Sequence, residues 1–236
     1  MGTLCAHHWI PNHWEYFMSG IQIVTEPAQE PLSLQEVKDY LRVEDNTDER
    51  TIRPLIETAR RWCEEHTGRT LVQTTYKQFI DSVRDEIPLM EGLTDGPDLE
   101  YYKNYIVLSK SPILSVTHVK TFNDADTETV FASSKYYLDN VREPGRIVLR
   151  NGETFPTALR VANAIEIQYV AGYSSVSQIP EPLKVGMLQH IAFMYEQRGD
   201  MGDYLNARTF PPMVKGLYSP YVIHSGMGSC NLLSIG

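Results

Sequence analysis

Basic residues are scarce in this sequence, and long apolar runs are missing from it. Lys and Arg number 21 against 30 Asp and Glu in 236 residues, so the formal net charge is -9. Proteins that bind duplex DNA by neutralising its phosphates carry the opposite charge, which argues against general DNA binding. No window contains the ~18 charge-free apolar residues of a membrane span, so no span is predicted. A hydrophobic share of 42% predicts a folded globular chain.

Cysteine is also rare in the chain. Its three cysteines, Cys5, Cys63 and Cys230, lie far apart in the sequence. An odd number at these spacings gives neither a disulfide framework nor a zinc knuckle, which is typical of a reducing compartment. Cys63 falls on the apolar face of a predicted helix, where we expect a small buried side chain.

Motifs for catalysis and for cofactor binding are missing as well. The sequence contains no G-x-x-x-x-G-K-[ST], G-x-G-x-x-G, H-E-x-x-H or G-x-S-x-G pattern. Asp124, Asp126 and Glu128 resemble the start of a calcium loop, but Thr129 replaces the turn glycine and Lys135 the bidentate glutamate. That segment is predicted to be a hairpin turn. No catalytic residue, cofactor or metal site is predicted.

Two helices are predicted in the first third of the chain. Ser33 and Glu36 form an S-x-x-E capping box, which starts a helix at about 33–42. A second helix is expected at about 51–67, because its apolar residues recur at helical spacing. We expect Trp62 to lie in the core, where its replacement by Ala would cost ~3–5 kcal/mol. The apolar stripe consists of Ile52, Leu55, Ile56, Ala59, Trp62, Cys63 and His66.

Between residues 71 and 172 the hydrophobic period changes to two. Runs of β-branched and aromatic residues alternate there with Pro, Gly, Asn and Asp clusters, which predicts about five to seven strands in a small antiparallel sandwich or barrel. Helical signals return at about 182–198 and 211–218. The predicted fold class is α+β, in which a helical bundle from both ends of the chain carries an inserted β module and extended terminal arms.

Charged residues are distributed unevenly along the chain, and this distribution marks further segments. Residues 81–100 contain seven acids and one arginine, which predicts an acidic loop, and the last 21 residues contain no Asp, Glu, Lys or Arg. Residues 1–20 carry one formal charge, and we expect either a flexible leader or an arm that orders against a neighbouring chain. The predicted division is an N-terminal arm (1–30), a helical core (31–70 and 180–218), the β module (71–179) and a C-terminal docking arm (219–236).

Several segments resemble the head–tail connector (adaptor) family of tailed bacteriophages. They are LSLQEVKDYLRV, the E-x-H-T-G-R-x-L turn and the junction from AGY to the last long helix, with SPILSV and IPEPLKVGMLQHIAFMYEQRG in the same order. The resemblance covers about residues 31–199. It implies a structural virion protein, assembled in the host bacterial cytoplasm, that forms a ring of about a dozen copies beneath the portal through heterologous contacts.

The same resemblance implies the partners. Connectors bind the portal protein, receive a stopper or tail-completion protein, and let double-stranded DNA pass through their lumen without sequence-specific binding. Another neck or tail protein, such as a stopper or tail terminator, is the first alternative function. A phage-encoded hydrolase is the second alternative.

Two sets of residues are candidates for contact with these partners. The uncharged tail can bind only through apolar anchors and backbone pairing. By analogy with connectors, which use terminal segments at the portal, we expect it to dock there, and a tail folded back over its own helices is the alternative. The acidic loop is expected to line the DNA channel or to face a basic partner, and an ordinary solvated surface is the alternative. The portal-docking candidates are Tyr218, Tyr221, Ile223, Leu232 and Leu233, and those of the acidic loop are Asp95, Asp98 and Glu100.

Overall fold

Eight strands and four α-helices make up the part of the chain that the computed structural model describes, residues 20–81, 105–156, 158–197 and 211–223. In chain order they are β1 (Gly20–Thr25), α1 (Leu34–Leu41), α2 (Glu49–Thr67), β2 (Thr74–Ile80), β3 (Tyr105–Val107), β4 (Ile113–Phe122), β5 (Glu128–Phe131), β6 (Tyr136–Asp139), β7 (Arg146–Leu149), β8 (Ile165–Ala171), α3 (Glu181–Glu196) and α4 (Pro212–Tyr218). Helices therefore stand on both sides of the main run of strands in sequence.

The capping box that was expected at the start of α1 is present. The Ser33 hydroxyl accepts the backbone N–H of Glu36 at 3.2 Å, and the Glu36 carboxylate accepts that of Ser33 at 3.1 Å. Two N–H groups that the helix itself leaves unpaired are satisfied in this way. Leu32 and Val37 are both buried beside the cap, so the turn that starts α1 is fixed by local chemistry and by packing.

Trp62 on α2 is not a core residue, and the sequence-based prediction was wrong here. Its side chain is 43% exposed, whereas Cys63 is fully buried. Successive residues of a helix point about 100° apart, so Cys63 occupies the centre of the buried stripe and Trp62 lies at its edge. Truncation of Trp62 should therefore cost the monomer less than the ~3–5 kcal/mol that applies to a core aromatic.

All four helices contribute to one hydrophobic core. The buried side chains come from α1 and α2, which precede the main strand region, and from α3 and α4, which follow it. Isolated helices of 7 to 19 residues are only marginally stable in water, so packing in the shared core stabilises all four helices. Its buried members are Leu32, Val37, Ile52, Ile56, Ala59, Cys63, Leu71, Val72, Ile179, Leu183, Met187, Ile191, Val214 and Tyr218.

The strands form two antiparallel sheets. A five-stranded sheet has the order β1-β2-β8-β4-β5, and a three-stranded sheet has the order β3-β7-β6. Side chains from both sheets meet in a second hydrophobic core, in which Tyr169 and Ile147 are among the most deeply buried. Within the described residues β1 and β5 are separate edges of the larger sheet, so these strands do not close into the barrel that was one expectation.

Strand β1 lies within the segment that was predicted to be an N-terminal arm. It pairs antiparallel with β2, with Gly20 opposite Phe79 and Ile23 opposite Tyr76. The alternating β-branched residues of GIQIVT favour a strand, but a six-residue run is too short to be distinguished from a leader in sequence. Residues 1–19 of the predicted arm lie outside the described residues.

The AGY segment joins the strands to the helical part of the chain. Gly172 has a φ of +121°, and a Cβ on it would lie 2.5 Å from the carbonyl oxygen of Val72, so only glycine fits. The next residue, Tyr173, forms a parallel bridge with Val72. The chain therefore enters and leaves the strand region at adjacent points, and the glycine permits that close approach.

Candidate docking site at the root of the C-terminal segment

The residues proposed for docking divide into three groups in the structure. Tyr218 is fully buried, while Tyr221 and Ile223 are partly exposed. Leu232 and Leu233 lie outside the described residues. So do the acidic-loop candidates Asp95, Asp98 and Glu100. The described part of the site is therefore residues 219–223, which we call the root of the C-terminal segment 219–236.

Tyr218 belongs to the helical core and is not available for docking in the folded monomer. Its ring lies against Gly186 on α3, where an added Cβ would approach the ring to 2.4 Å. The His66 ring of α2 lies 6.1 Å away, centroid to centroid. Burial raises the pKa of the Tyr218 phenol, and it also raises the pKa of the neighbouring Cys63 thiol to about 12. The expectation that Tyr218 is a surface anchor is therefore corrected, since it ties α4 to α2 and α3.

Arg69 holds the chain immediately after α4. Its Nε donates to the carbonyl oxygen of Tyr221 at 2.8 Å. The two terminal nitrogens of the guanidinium form a bidentate ion pair with the Glu143 carboxylate, in which Nη1 lies 2.8 Å from Oε1. Nη1 also lies 3.4 Å from the hydroxyl oxygen of Tyr173. A planar guanidinium suits this arrangement because it donates in several fixed directions at once. Arg69 thus connects the C-terminal segment at Tyr221 to the loop between β6 and β7 at Glu143 and to the AGY segment at Tyr173.

A second contact fixes the last described residue. The N–H of Ile223 donates to the carbonyl oxygen of Thr67, the last residue of α2, at 2.8 Å. Gly68 ends the helix with a φ of +71°, and a Cβ placed on it would lie 3.6 Å from the Cβ of Ile223. The last described residue therefore lies against the end of α2, beside the T-G-R part of the turn that carried the family resemblance.

Sequence reasoning missed Arg69 and Glu143 as parts of this site. The signal for Arg69 was present, because it belongs to E-x-H-T-G-R-x-L, but nothing in that pattern names its partners. Those partners lie 74 residues away at Glu143 and 152 residues away at Tyr221. Contacts over such separations follow from the tertiary fold and not from local spacing.

The described groups of this site suit the holding of a chain segment. They are a paired guanidinium, backbone carbonyls and apolar side chains, which bind by hydrogen bonding and packing. Across the described ranges, no group of three His, Cys, Asp or Glu side chains is placed to hold a metal ion. None of the helices found there has the length and apolar character needed to cross a bilayer.

Comparison with known proteins decides the family. The model of the head completion protein family matches residues 30–210, which is most of the chain. The chain belongs to the head completion protein family. No curated protein matches its sequence significantly. The match includes all of α1, α2 and α3 and ends before α4, so the C-terminal segment lies beyond it.

Solved structures share the fold of this head completion family member. A chain from the neck of an empty gene transfer agent particle, computed with C6 symmetry, aligns with a TM-score of 0.68 and 20% identity over 88% of this chain and 97% of that one. A chain from the virion of a native gene transfer agent particle gives 0.66 and 19% over 89% and 98%. A chain from the neck of the native particle, computed with C12 symmetry, gives 0.61 and 21% over 88% and 97%.

Proposed function

We propose that this chain is a structural protein of a virion neck, where it forms a ring between capsid and tail. The observation that carries the proposal is the family match, supported by a fold shared over nearly the whole length of neck proteins. An enzymatic role is not proposed, because the family is one of head completion proteins and the sequence holds no catalytic motif.

Within the neck we assign the chain the role of the adaptor, the ring that contacts the portal. The adaptor extends the DNA channel and offers a platform to the stopper or tail. A similar chain occurs in a neck that was computed with C12 symmetry, which supports this role. The head–tail connectors that this sequence resembles form rings of about a dozen copies. The stopper is the second candidate, since the family match names head completion and not the contact with the portal.

The number of copies in the ring tests the assignment. We expect the purified full chain, or its particle neck, to contain about twelve copies per ring, because closed heterologous rings have one fixed stoichiometry. Native mass spectrometry and symmetry-free cryo-EM class averages measure that number directly. A ring with a clearly different copy number would contradict the twelve-copy adaptor, and a chain that stays monomeric on the particle would contradict both roles.

We further propose that the C-terminal segment docks on the portal. The start of this segment is held in place, because Arg69 binds the carbonyl oxygen of Tyr221 and Thr67 accepts the N–H of Ile223. Beyond that point the 13 residues 224–236 carry no formal charge but include Leu232 and Leu233. Apolar side chains and backbone pairing are therefore the interactions available to it, as in other peptide-docking modes.

Deletion of residues 224–236 should separate docking from folding. The cut falls after Ile223, so it keeps the contacts of Arg69 and Thr67 with the root. We expect the free energy of unfolding of the monomer to change by no more than ~0.5 kcal/mol, as for surface changes, and the joining of the ring to portal-bearing heads to fail. Urea titration and a head-joining assay measure the two effects.

A matched full-length variant controls for chain length in that experiment. Leu232→Ser combined with Leu233→Ser keeps all 236 residues and removes two apolar anchors, so it should weaken joining in the same direction. Normal joining by the truncated chain would contradict portal docking by this segment. A large loss of monomer stability would show instead that the segment folds over its own helices.

For the acidic segment 81–100 we propose a place along the DNA path. Its seven acids, including Asp95, Asp98 and Glu100, and its one arginine account for six of the nine net negative charges of the chain. A conduit of the same sign as DNA repels the phosphates and lets the duplex slide without binding. This proposal rests on charge and on the connector role.

A further inference from the structure

Arg69 and Glu143 are attached to a common frame in the strand region. Ser111 forms a parallel bridge with Arg69, and its carbonyl oxygen accepts the N–H of Thr70 at 2.7 Å. The Ser111 hydroxyl accepts the N–H of Gly145, two residues after Glu143, at 3.3 Å. Ser111 is 1% exposed, so these bonds lie in the interior of the protein. The backbone of the strand region therefore brings the guanidinium and the carboxylate together.

This frame sets the direction in which the guanidinium of Arg69 donates. The bidentate pair with Glu143 uses both terminal nitrogens, and a guanidinium is planar and rigid, so the pair also fixes the direction of Nε. The Arg69 side chain is 13% exposed, which leaves it little room to turn. Nε donates to the carbonyl oxygen of Tyr221 at 2.8 Å. The donor that holds the root is therefore oriented by contacts outside the root.

The root is attached by packing and oriented by hydrogen bonds. The side chain of Tyr221 packs against the helical core, but apolar contact has no preferred direction. Direction comes from Arg69 and from Thr67, which accepts the N–H of Ile223 at 2.8 Å. Both contacts use backbone groups of the root, so they do not depend on its side chains. Arg69 and Thr67 lie within the family match of residues 30–210, whereas the root lies beyond it.

We infer that Arg69 is the positioning residue of the C-terminal segment and that Glu143 orients Arg69 for this task. The inference rests on the portal docking proposed above. Residues 224–236 start from Ile223, so a root with a fixed direction presents them to the portal in one orientation. A segment that is already oriented loses less conformational entropy on binding, which strengthens docking. Arg69 acts through the root.

Arg69→Lys tests the positioning role. Lysine keeps the positive charge, but its ammonium cannot reproduce the planar fork that spans Glu143 and Tyr221. We expect hydrogen exchange of residues 219–223 in the full-length monomer to become at least about tenfold faster while α2 and α3 stay protected. The chain concentration that joins half of the portal-bearing heads should rise at least about tenfold, the equivalent of one hydrogen bond to a charged group.

Arg160→Lys is the matched control, because Arg160 also binds a carboxylate and a backbone carbonyl. Its Nη1 lies 3.1 Å from Asp126, and its Nη2 donates to the carbonyl oxygen of Asn163 at 2.7 Å. These partners belong to the strand region and not to the root. Joining by this variant should change by less than about twofold.

A disulfide between positions 68 and 223 supplies a rescue. A Cβ on Gly68 would lie 3.6 Å from that of Ile223, a separation that suits a disulfide. Gly68→Cys and Ile223→Cys are added to Arg69→Lys, with Cys5 and Cys230 replaced by Ser. The φ of +71° at Gly68 disfavours the new side chain equally in both redox states. Oxidation should restore joining to within about threefold of wild type, and reduction should remove that gain.

The outcomes separate the positioning role from docking itself. Arg69→Lys that joins heads at the wild-type concentration would overturn the inference, whether or not the root exchanges faster. A disulfide that forms and restores no joining would overturn it as well, because a fixed root would then be without effect. Normal joining by the chain that lacks residues 224–236 would instead contradict the proposed portal docking.

Discussion

Arg60→Met should lower the free energy of unfolding by about 3–5 kcal/mol, because it leaves two carboxylates without their cation. The guanidinium is buried, with Nε 2.7 Å from Glu30 and Nη1 3.1 Å from Glu64. The other oxygen of Glu64 accepts the N–H of Leu71 at 2.8 Å, so one arginine organises the start of the strand region as well as α2. Urea denaturation at pH 7 measures the loss.

The loss in Arg60→Met should depend on pH with a defined sign. Burial raises the pKa of Glu64, although the Leu71 N–H and Arg60 oppose that rise. Without the guanidinium the pKa in the folded state rises further, so the folded variant takes up a proton before the unfolded chain does. The destabilisation is therefore greatest above the folded pKa and shrinks as the pH falls through it towards the unfolded value of about 4.3.

The neighbouring residue supplies a matched control for Arg60. Arg61 also pairs with a glutamate on α2, but both side chains are at least half exposed, so Arg61→Met should change stability by no more than ~0.5 kcal/mol. Adding Glu64→Gln to Arg60→Met should recover part of the loss, because it removes the stranded charge. Equal effects of the two arginine substitutions would mean that Arg60 is solvated in solution.

Gly186→Ala should cost about 2 kcal/mol net, which is large for a single methyl group in a helix. The new Cβ would lie 2.4 Å from Cε1 of Tyr218, and the enclosed ring has no room to withdraw. Overpacking of this kind costs up to ~3 kcal/mol, and the higher helix propensity of Ala offsets ~1 kcal/mol of it. Urea denaturation of the monomer gives the difference.

Gly216→Ala on α4 is the control for Gly186→Ala. No atom lies within 4 Å of a Cβ at Gly216, so propensity alone should act and stabilise the chain by up to ~1 kcal/mol. In a double-mutant cycle, Tyr218→Ala should abolish the cost of Ala at position 186. Additive effects in that cycle would show that the ring and the glycine are not in contact.

Features with local causes could be predicted from the sequence. The capping box of Ser33 and Glu36 lies within four residues and is present as expected. The side-chain amide oxygen of Asn123 accepts the N–H groups of Ala125 and Thr127, so the segment that resembles a calcium loop is a hairpin turn. In both cases nearby side chains accept hydrogen bonds from backbone N–H groups, so the spacing of a few residues in the sequence is enough to predict the local structure.

Features with distant causes could not be predicted in this way. The helical period places Trp62 near the apolar stripe, but it does not tell how wide a face the neighbouring helices cover. Tyr218 looked like part of an uncharged tail, and its burial depends on the absence of a side chain at Gly186. Arg69 finds its partners at Glu143 and Tyr221 through the tertiary fold.

The adjacent entry and exit of the strand region, at Val72 and Tyr173, has a consequence for how such proteins diversify. The helices must bridge the same short gap whatever the number or length of the strands between these two residues. The chain between these two residues can therefore vary in length without widening the gap that the helices bridge, provided that Gly172 keeps the crossing close.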